Sequence, residues 1–186
     1  LDHAAVDGLR RSGLLLPASR LPWERVPAFK HDLLRAYSVA RWLLTERDPA
    51  AALMTIGAPR WTLASARLAC EIVLSAPGEP AHPRAGRYAR LQEGFDVIAN
   101  AGGGERWSDV PAEALLMVTD SAELLKNAWP TLLNNKAHGL ARLIRVLHGR
   151  HQRNGILDPI IAEPVISQLL DVGRPRTLAK EVNELI

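Results

Sequence analysis

The sequence predicts a mostly α-helical fold, and three observations carry that expectation. Apolar residues recur at spacings of three and four along much of the chain. The short uninterrupted apolar stretches lie in alanine-rich surroundings with few β-branched residues. Breaks bearing proline, glycine or aspartate, such as Asp48-Pro49 and Asn154-Gly155, delimit the periodic segments. Three stretches, 52–56, 95–99 and 115–119, are apolar enough to be buried strands, and as parallel strands they would make the fold α/β. That is the alternative.

At 186 residues and 20.4 kDa the chain has room for one domain or a domain with a small appendage. Hydrophobic residues make up 47% and charged residues 23%, which excludes global disorder and fibrous classes. The expected division is a helical domain over 1–155, with an irregular N-terminal arm, and a helix-turn-helix over 156–186.

The elements follow in order. A short helix spans about 1–11, and Gly13, Pro17, Pro22 and Pro27 then give an arm that Trp23 anchors. From 29 to 47, Leu33, Leu34, Tyr37, Ala40, Leu43 and Leu44 form a helical stripe, and Asp48-Pro49 ends it while capping the next start. A helix over 61–75 turns Leu63, Ala66, Ala69, Ile72 and Val73 inward, and 77–86 reads as a loop. A helix over 87–99 runs into Gly102-Gly103-Gly104, read as a flexible joint. Ser108 and Asp109 before Pro111 signal a helix start. Residues 120–127 look helical, with Pro130 kinking or interrupting them. Over 136–153, Leu140, Leu143, Ile144 and Leu147 face one way and Arg142, Arg145 and Arg153 the other, so an amphipathic helix ends at Asn154-Gly155. The five tryptophans are expected as core and joint anchors.

Charge is uneven. The net +3 arises entirely after residue 135: 15 basic and 15 acidic groups balance before it, whereas 8 basic and 5 acidic groups follow. Lys136, Arg142, Arg145, Arg150 and Arg153 occur with no intervening acid. The asymmetry points to a polyanion-facing end, against the alternative of a solvated helix face. Nineteen of the 23 cations are arginine, which suits bidentate phosphate contact and equally reflects a GC-rich genome.

The segment from Glu163 to Ile186 carries the most information. Pro164 fits a first helical turn, Val165, Leu169 and Leu170 give an inner face, and 171–175 break the helix. A second helix begins near Thr177 with Leu178, Val182 and Leu185 inward, and two short helices across a tight turn make a helix-turn-helix. Its exposed face offers Arg174, Arg176, Thr177, Lys180 and Asn183. Arginine can be bidentate to guanine and asparagine to adenine. The run LLDVGRPRTLAKEVNEL, within 161–186, resembles the helix-turn-helix of bacterial winged-helix regulators, including the DNA-binding tails of many Fic-family proteins. Arg176 lengthens the turn by one residue, Asp171 stands where glycine is usual, and the wing itself is not in this sequence. The resemblance implies a duplex-DNA reader, a transcriptional regulator or mobile-element accessory factor, with Arg142, Arg145, Arg150 and Arg153 adding phosphate contacts. A homodimer would suit a palindromic site. The stretch His82-Pro83-Arg84-Ala85-Gly86-Arg87 lacks the Phe, Asn and paired glycines of the Fic catalytic loop.

Two other classes compete. One is a helical protein-interaction module of a larger assembly. The other rests on Arg142 with His148 and Arg145 with His151, whose spacing resembles the signature of HEPN-type ribonucleases and implies a metal-independent nuclease. On an unbroken helix that separation rotates the partners apart, whereas Arg145 and His148 are neighbours. His31-Asp32 lacks the additional ligands of an HD phosphohydrolase site, and Gly102 to Gly104 lack the spacing of a phosphate loop. A single cysteine, Cys70, excludes a disulfide framework within the monomer, fits a reducing compartment, and reads as a buried small hydrophobe. No apolar run approaches the ~20 residues of a membrane span. The expected setting is cytoplasmic, with no cofactor, no metal and no membrane partner.

Overall fold

The computed structural model describes residues 3–16, 29, 31–46, 48–76, 78–154 and 159–172, and these are mostly helical. Eight α-helices occur among them: α1 (His3–Arg11), α2 (Asp32–Leu43), α3 (Pro49–Thr55), α4 (Leu63–Ser75), α5 (Ala81–Ile98), α6 (Arg106–Leu115), α7 (Ser121–Asn154) and α8 (Pro159–Val172). No strand forms among the described residues; Leu15 and Phe29 make an isolated antiparallel bridge. The three stretches that kept α/β open are thus helix or turn. Residues 52–55 belong to α3, 95–98 to α5, and 116–119 turn between α6 and α7.

Local chemistry explains most boundaries. Asp48 caps α3: its Oδ1 accepts from the backbone N–H of Ala50 at 2.9 Å and Ala51 at 3.2 Å, with Pro49 in the first turn. The expected loop over 77–86 is shorter, because α5 already begins at Ala81. Pro83 falls within its first turn, where a missing N–H costs no helical hydrogen bond. Likewise α6 starts at Arg106 rather than at Ser108. Ser108 Oγ donates to the Glu105 carbonyl instead of capping, and Pro111 is accommodated inside the helix. In α8 it is Pro159, not Pro164, that occupies the first turn. The helix α7 is described as far as Asn154, and Gly155 of the expected stop lies outside the described residues.

Pro130 does not interrupt α7, yet the helix is not straight. Ala137 adopts φ +60°, and a Cβ built on Gly139 would lie 3.1 Å from the Cα of Leu132. Seven residues of straight helix span about 10.5 Å, so the chain bends sharply at Ala137. The amphipathic segment expected over 136–153 is the part beyond this bend.

The inward faces differ from the sequence reading at several places. In α2, Ala40 and Leu43 are buried, but Leu33 is 76% and Tyr37 51% exposed. In α4 the inner stripe is Ala66, Ala69, Cys70 and Leu74, with Ile72 outside. Trp107 and Trp129 are core residues, Trp42 and Trp61 are exposed, and Trp23 lies outside the described residues. At the centre, α6 packs on α4, α5 and α7. Trp107, Val110, Pro111, Ala112, Ala114 and Leu115 are buried on it, so it is apolar around most of its circumference. Phe95 of α5 stacks on Trp107 with ring centroids 6.1 Å apart.

An ion pair between a buried arginine and an exposed aspartate ties the ends of these helices together. Arg84, 3% exposed, donates to Asp120 with both terminal nitrogens and to the Leu74 carbonyl at 3.1 Å. It thereby links the start of α5, the last turn of α4 and the approach to α7. The Arg84 guanidinium holds the Asp120 carboxyl below its ordinary value. A second bidentate pair, Arg87 with Glu79, fixes the turn before α5.

The three glycines 102–104 are not a loose joint. Gly102 (φ +98°) and Gly104 (φ +92°) make a left-handed exit from a π-helical turn over Ala99–Gly103. A Cβ on Gly103 would meet Trp107 Cδ1 at 2.7 Å and the Ile98 carbonyl at 2.8 Å. Gly94 is equally confined, with Ala50 Cβ of α3 at 2.7 Å from its built Cβ. Gly103→Ala and Gly94→Ala are therefore expected to destabilise by about 1–3 kcal/mol in urea unfolding. Gly8→Ala, which meets nothing within 4 Å, should be neutral or slightly stabilising.

Candidate functional site

The polar residues that sequence spacing places on separate helices meet where α5, α6 and α7 cross. Arg142 is 6% exposed. Its guanidinium lies 3.0 Å from Asp96 Oδ1 of α5, donates to His138 Nε2 at 3.1 Å, and has its Nε 3.9 Å from Asp109 Oδ1 of α6. Gln92 extends the array, donating to Asp96 at 3.3 Å and to the Ser108 carbonyl at 3.2 Å while accepting from Tyr88. Burial pushes the Tyr88 hydroxyl well above its ordinary value, so it acts as a neutral donor. This corrects the amphipathic reading of α7. Arg142 is on the buried side because two carboxylates from other helices neutralise it there.

Two further α7 cations are also engaged. Arg145 donates to Asp109 and approaches Glu105 at 3.9 Å. Arg150 donates to Met117 Sδ at 3.2 Å and to the Glu113 carbonyl at 3.4 Å. The side chain of Arg153 lies outside the described residues, as do Arg174, Arg176, Thr177, Lys180 and Asn183 and with them the second helix of the expected helix-turn-helix. His148 accepts from Gln152 at 2.7 Å, and His151 is exposed. The histidine that meets Arg142 is thus His138, four residues before it, rather than His148. Cys70 is fully buried and its thiol is pushed far up by burial, consistent with a packing role. Among the described residues no cluster of His, Cys, Asp and Glu is arranged to hold a metal ion, and no helix is long and apolar enough to cross a membrane.

Beside this network opens a cleft of about 490 Å³ between α4, α6 and α7. Its walls come from three stripes at helical spacing, each bearing an arginine: Ala64 and Arg67 on α4, Arg106, Asp109 and Glu113 on α6, and Arg145, Gly149 and Gln152 on α7. Leu63, Val110 and Val146 supply its apolar side. Arg67 meets Glu71 at 3.2 Å and Glu113 at 3.6 Å. Burial pushes the Glu71 carboxyl above its ordinary 4.5, against the opposing pull of Arg67 and Arg150. Sequence reading missed Arg67, Arg106, Glu113 and the partners Asp96, Asp109 and His138. The one available signal was the spacing of Arg106, Asp109 and Glu113, the single polar stripe on an otherwise apolar helix.

Two outcomes follow from this geometry. Asp96→Ala strands a buried guanidinium and should cost about 3 kcal/mol, whereas the Asp96→Ala, Arg142→Met double variant should recover a substantial part; a double-mutant cycle in urea measures both. The raised Glu71 pKa means the folded state holds this proton more tightly than the unfolded chain. Its contribution to stability is present at acid pH and is lost as pH rises from about 4.5 through the folded pKa. Glu71→Gln should remove that part of the decline, read from unfolding midpoints between pH 4 and pH 8.

No protein-family model matches the chain, and neither a curated protein nor a solved structure does.

Proposed function

We propose that the protein binds duplex DNA through its C-terminal segment, with α8 as the first helix of a helix-turn-helix and residues 173–186 as its reading element. The observation that carries this reading is α8 itself. It is a separate helix packed on α7, with Ala162, Val165 and Leu169 buried, and it is described as far as Val172. The sequence places Gly173-Arg174-Pro175 directly after it, then Arg176, Thr177, Lys180 and Asn183. A first helix must be anchored to the body before a second can be held at a fixed angle to a groove. Leu170 departs from the expected inner face and is 71% exposed, because it lies about 100° around the helix from Leu169.

In this reading the phosphate contacts come from the tail more than from α7, since Arg142 and Arg145 already bind Asp96 and Asp109. That same pairing favours a second reading, a helical interaction module, in which exposed Leu33 and Tyr37, one turn apart on α2, face a protein partner.

Duplex binding titrated against salt distinguishes the two. For DNA binding, log K falls linearly with log salt, and Arg176→Ala with Lys180→Ala weakens binding about tenfold or more while flattening the slope by roughly one per phosphate contact removed. Absent binding, or binding indifferent to both substitutions, overturns the assignment.

A further inference from the structure

We propose that the cleft between α4, α6 and α7 binds a small organic phosphate. This does not depend on the reading of the C-terminal segment. Three guanidinia from three helices, Arg67, Arg106 and Arg145, line it. Each offers five N–H donors in a planar fork, and few are used. Arg145 donates to Asp109; Arg67 stands in ion pairs at 3.2 and 3.6 Å; Arg106 has no ion-pair or hydrogen-bond partner among the described residues. The acids nearby are already committed, Asp109 to Arg142 and Arg145, and Glu113 to Arg67. The cleft is therefore rich in unsatisfied donors and poor in free acceptors.

Its shape narrows the ligand class. A carboxylate presents its acceptors in a single plane, whereas the three terminal oxygens of a phosphate are arranged tetrahedrally and accept forks arriving from different sides. The three arginines stand on three different helices. The contact of Arg145 with the exposed Glu105, 3.9 Å, is weak and would yield to such a ligand, while Arg67 has donors to present without leaving Glu113. The volume is that of small-molecule sites, and Leu63, Val110 and Val146 give a compact organic group an apolar surface.

The test is calorimetric titration of the full chain at constant ionic strength with phenyl phosphate, inorganic phosphate and benzoate. The expected result is saturable binding of one phenyl phosphate per chain, tighter than either of the others, because only it supplies both the tetrahedral head and the apolar body. Arg106→Gln should weaken it at least about tenfold without moving the unfolding midpoint, since Arg106 is exposed and unpaired. Gly149→Asp supplies a second variant. A Cβ there meets no neighbour within 4 Å, and the added carboxylate lies on the cleft wall against the ligand, so binding should fall by a similar factor. Arg35→Gln on α2, remote from the cleft, should leave binding unchanged. Absent saturation, or affinity unaffected by both Arg106→Gln and Gly149→Asp, overturns the site. Benzoate binding as tightly as phenyl phosphate overturns the phosphate class.

Discussion

The arrangement of the helical body depends on one buried charge, Arg142. A guanidinium cannot be moved out of water without partners, and here the partners come from two other helices, Asp96 of α5 and Asp109 of α6. Apolar contacts alone would let α5, α6 and α7 slide or rotate by a residue with modest loss. A buried cation whose carboxylates come from two other helices narrows that freedom, because a register shift would leave the buried guanidinium uncompensated. The same carboxylate, Asp109, also binds Arg145 at the mouth of the cleft. The packing of the interior and the shape of the cleft are therefore set by one set of side chains.

The bend at Ala137 makes this possible. A straight helix over 121–154 would be about 50 Å long and would carry its second half away from the core. With the chain turning at Ala137, Gly139 comes against Leu132, and Leu140, Leu143 and Leu147 return to the same core as Leu124 and Leu132. The left-handed conformation costs a non-glycine residue about 1–2 kcal/mol. Burial of the returning leucines outweighs it. Gly139 matters for a different reason: with no side chain it lets the two limbs approach to the contact seen at Leu132.

How much of this was legible in the sequence varies with the type of signal. Asp48-Pro49 announced the start of α3 because a cap is a local interaction between adjacent residues. The start of α5 was misread, since Pro-Gly-Glu-Pro followed by His-Pro resembles a loop until Arg84 is seen to reach Asp120, 36 residues away. The faces of α2 were misread because Leu33 and Tyr37 satisfy helical spacing without being buried. Periodicity identifies a stripe, but only tertiary packing decides how much of it is covered. The triple glycine misled in the other direction: its composition reads as flexibility, whereas Gly103 is there to admit Trp107.

Charge asymmetry illustrates the same limit for function. Counted along the chain, the cations of α7 have no acid between them, and that suggests a surface open to a polyanion. In three dimensions the compensating acids arrive from α5 and α6, so sequence neutrality must be judged across helices rather than along one. The cleft and the C-terminal segment consequently differ in how they would attract an anion. With Arg67 and Arg145 paired to acids and only Arg106 unpaired among the described residues, the cleft produces little long-range field, and recognition there rests on short, directional hydrogen bonds that salt screens weakly. A tail whose cations lie beyond the balanced body would act through counterion release, which salt suppresses steeply. Ionic strength thus separates the two modes on a single molecule, because the first depends on geometry fixed by Asp109 and the second on the density of charge after Val172.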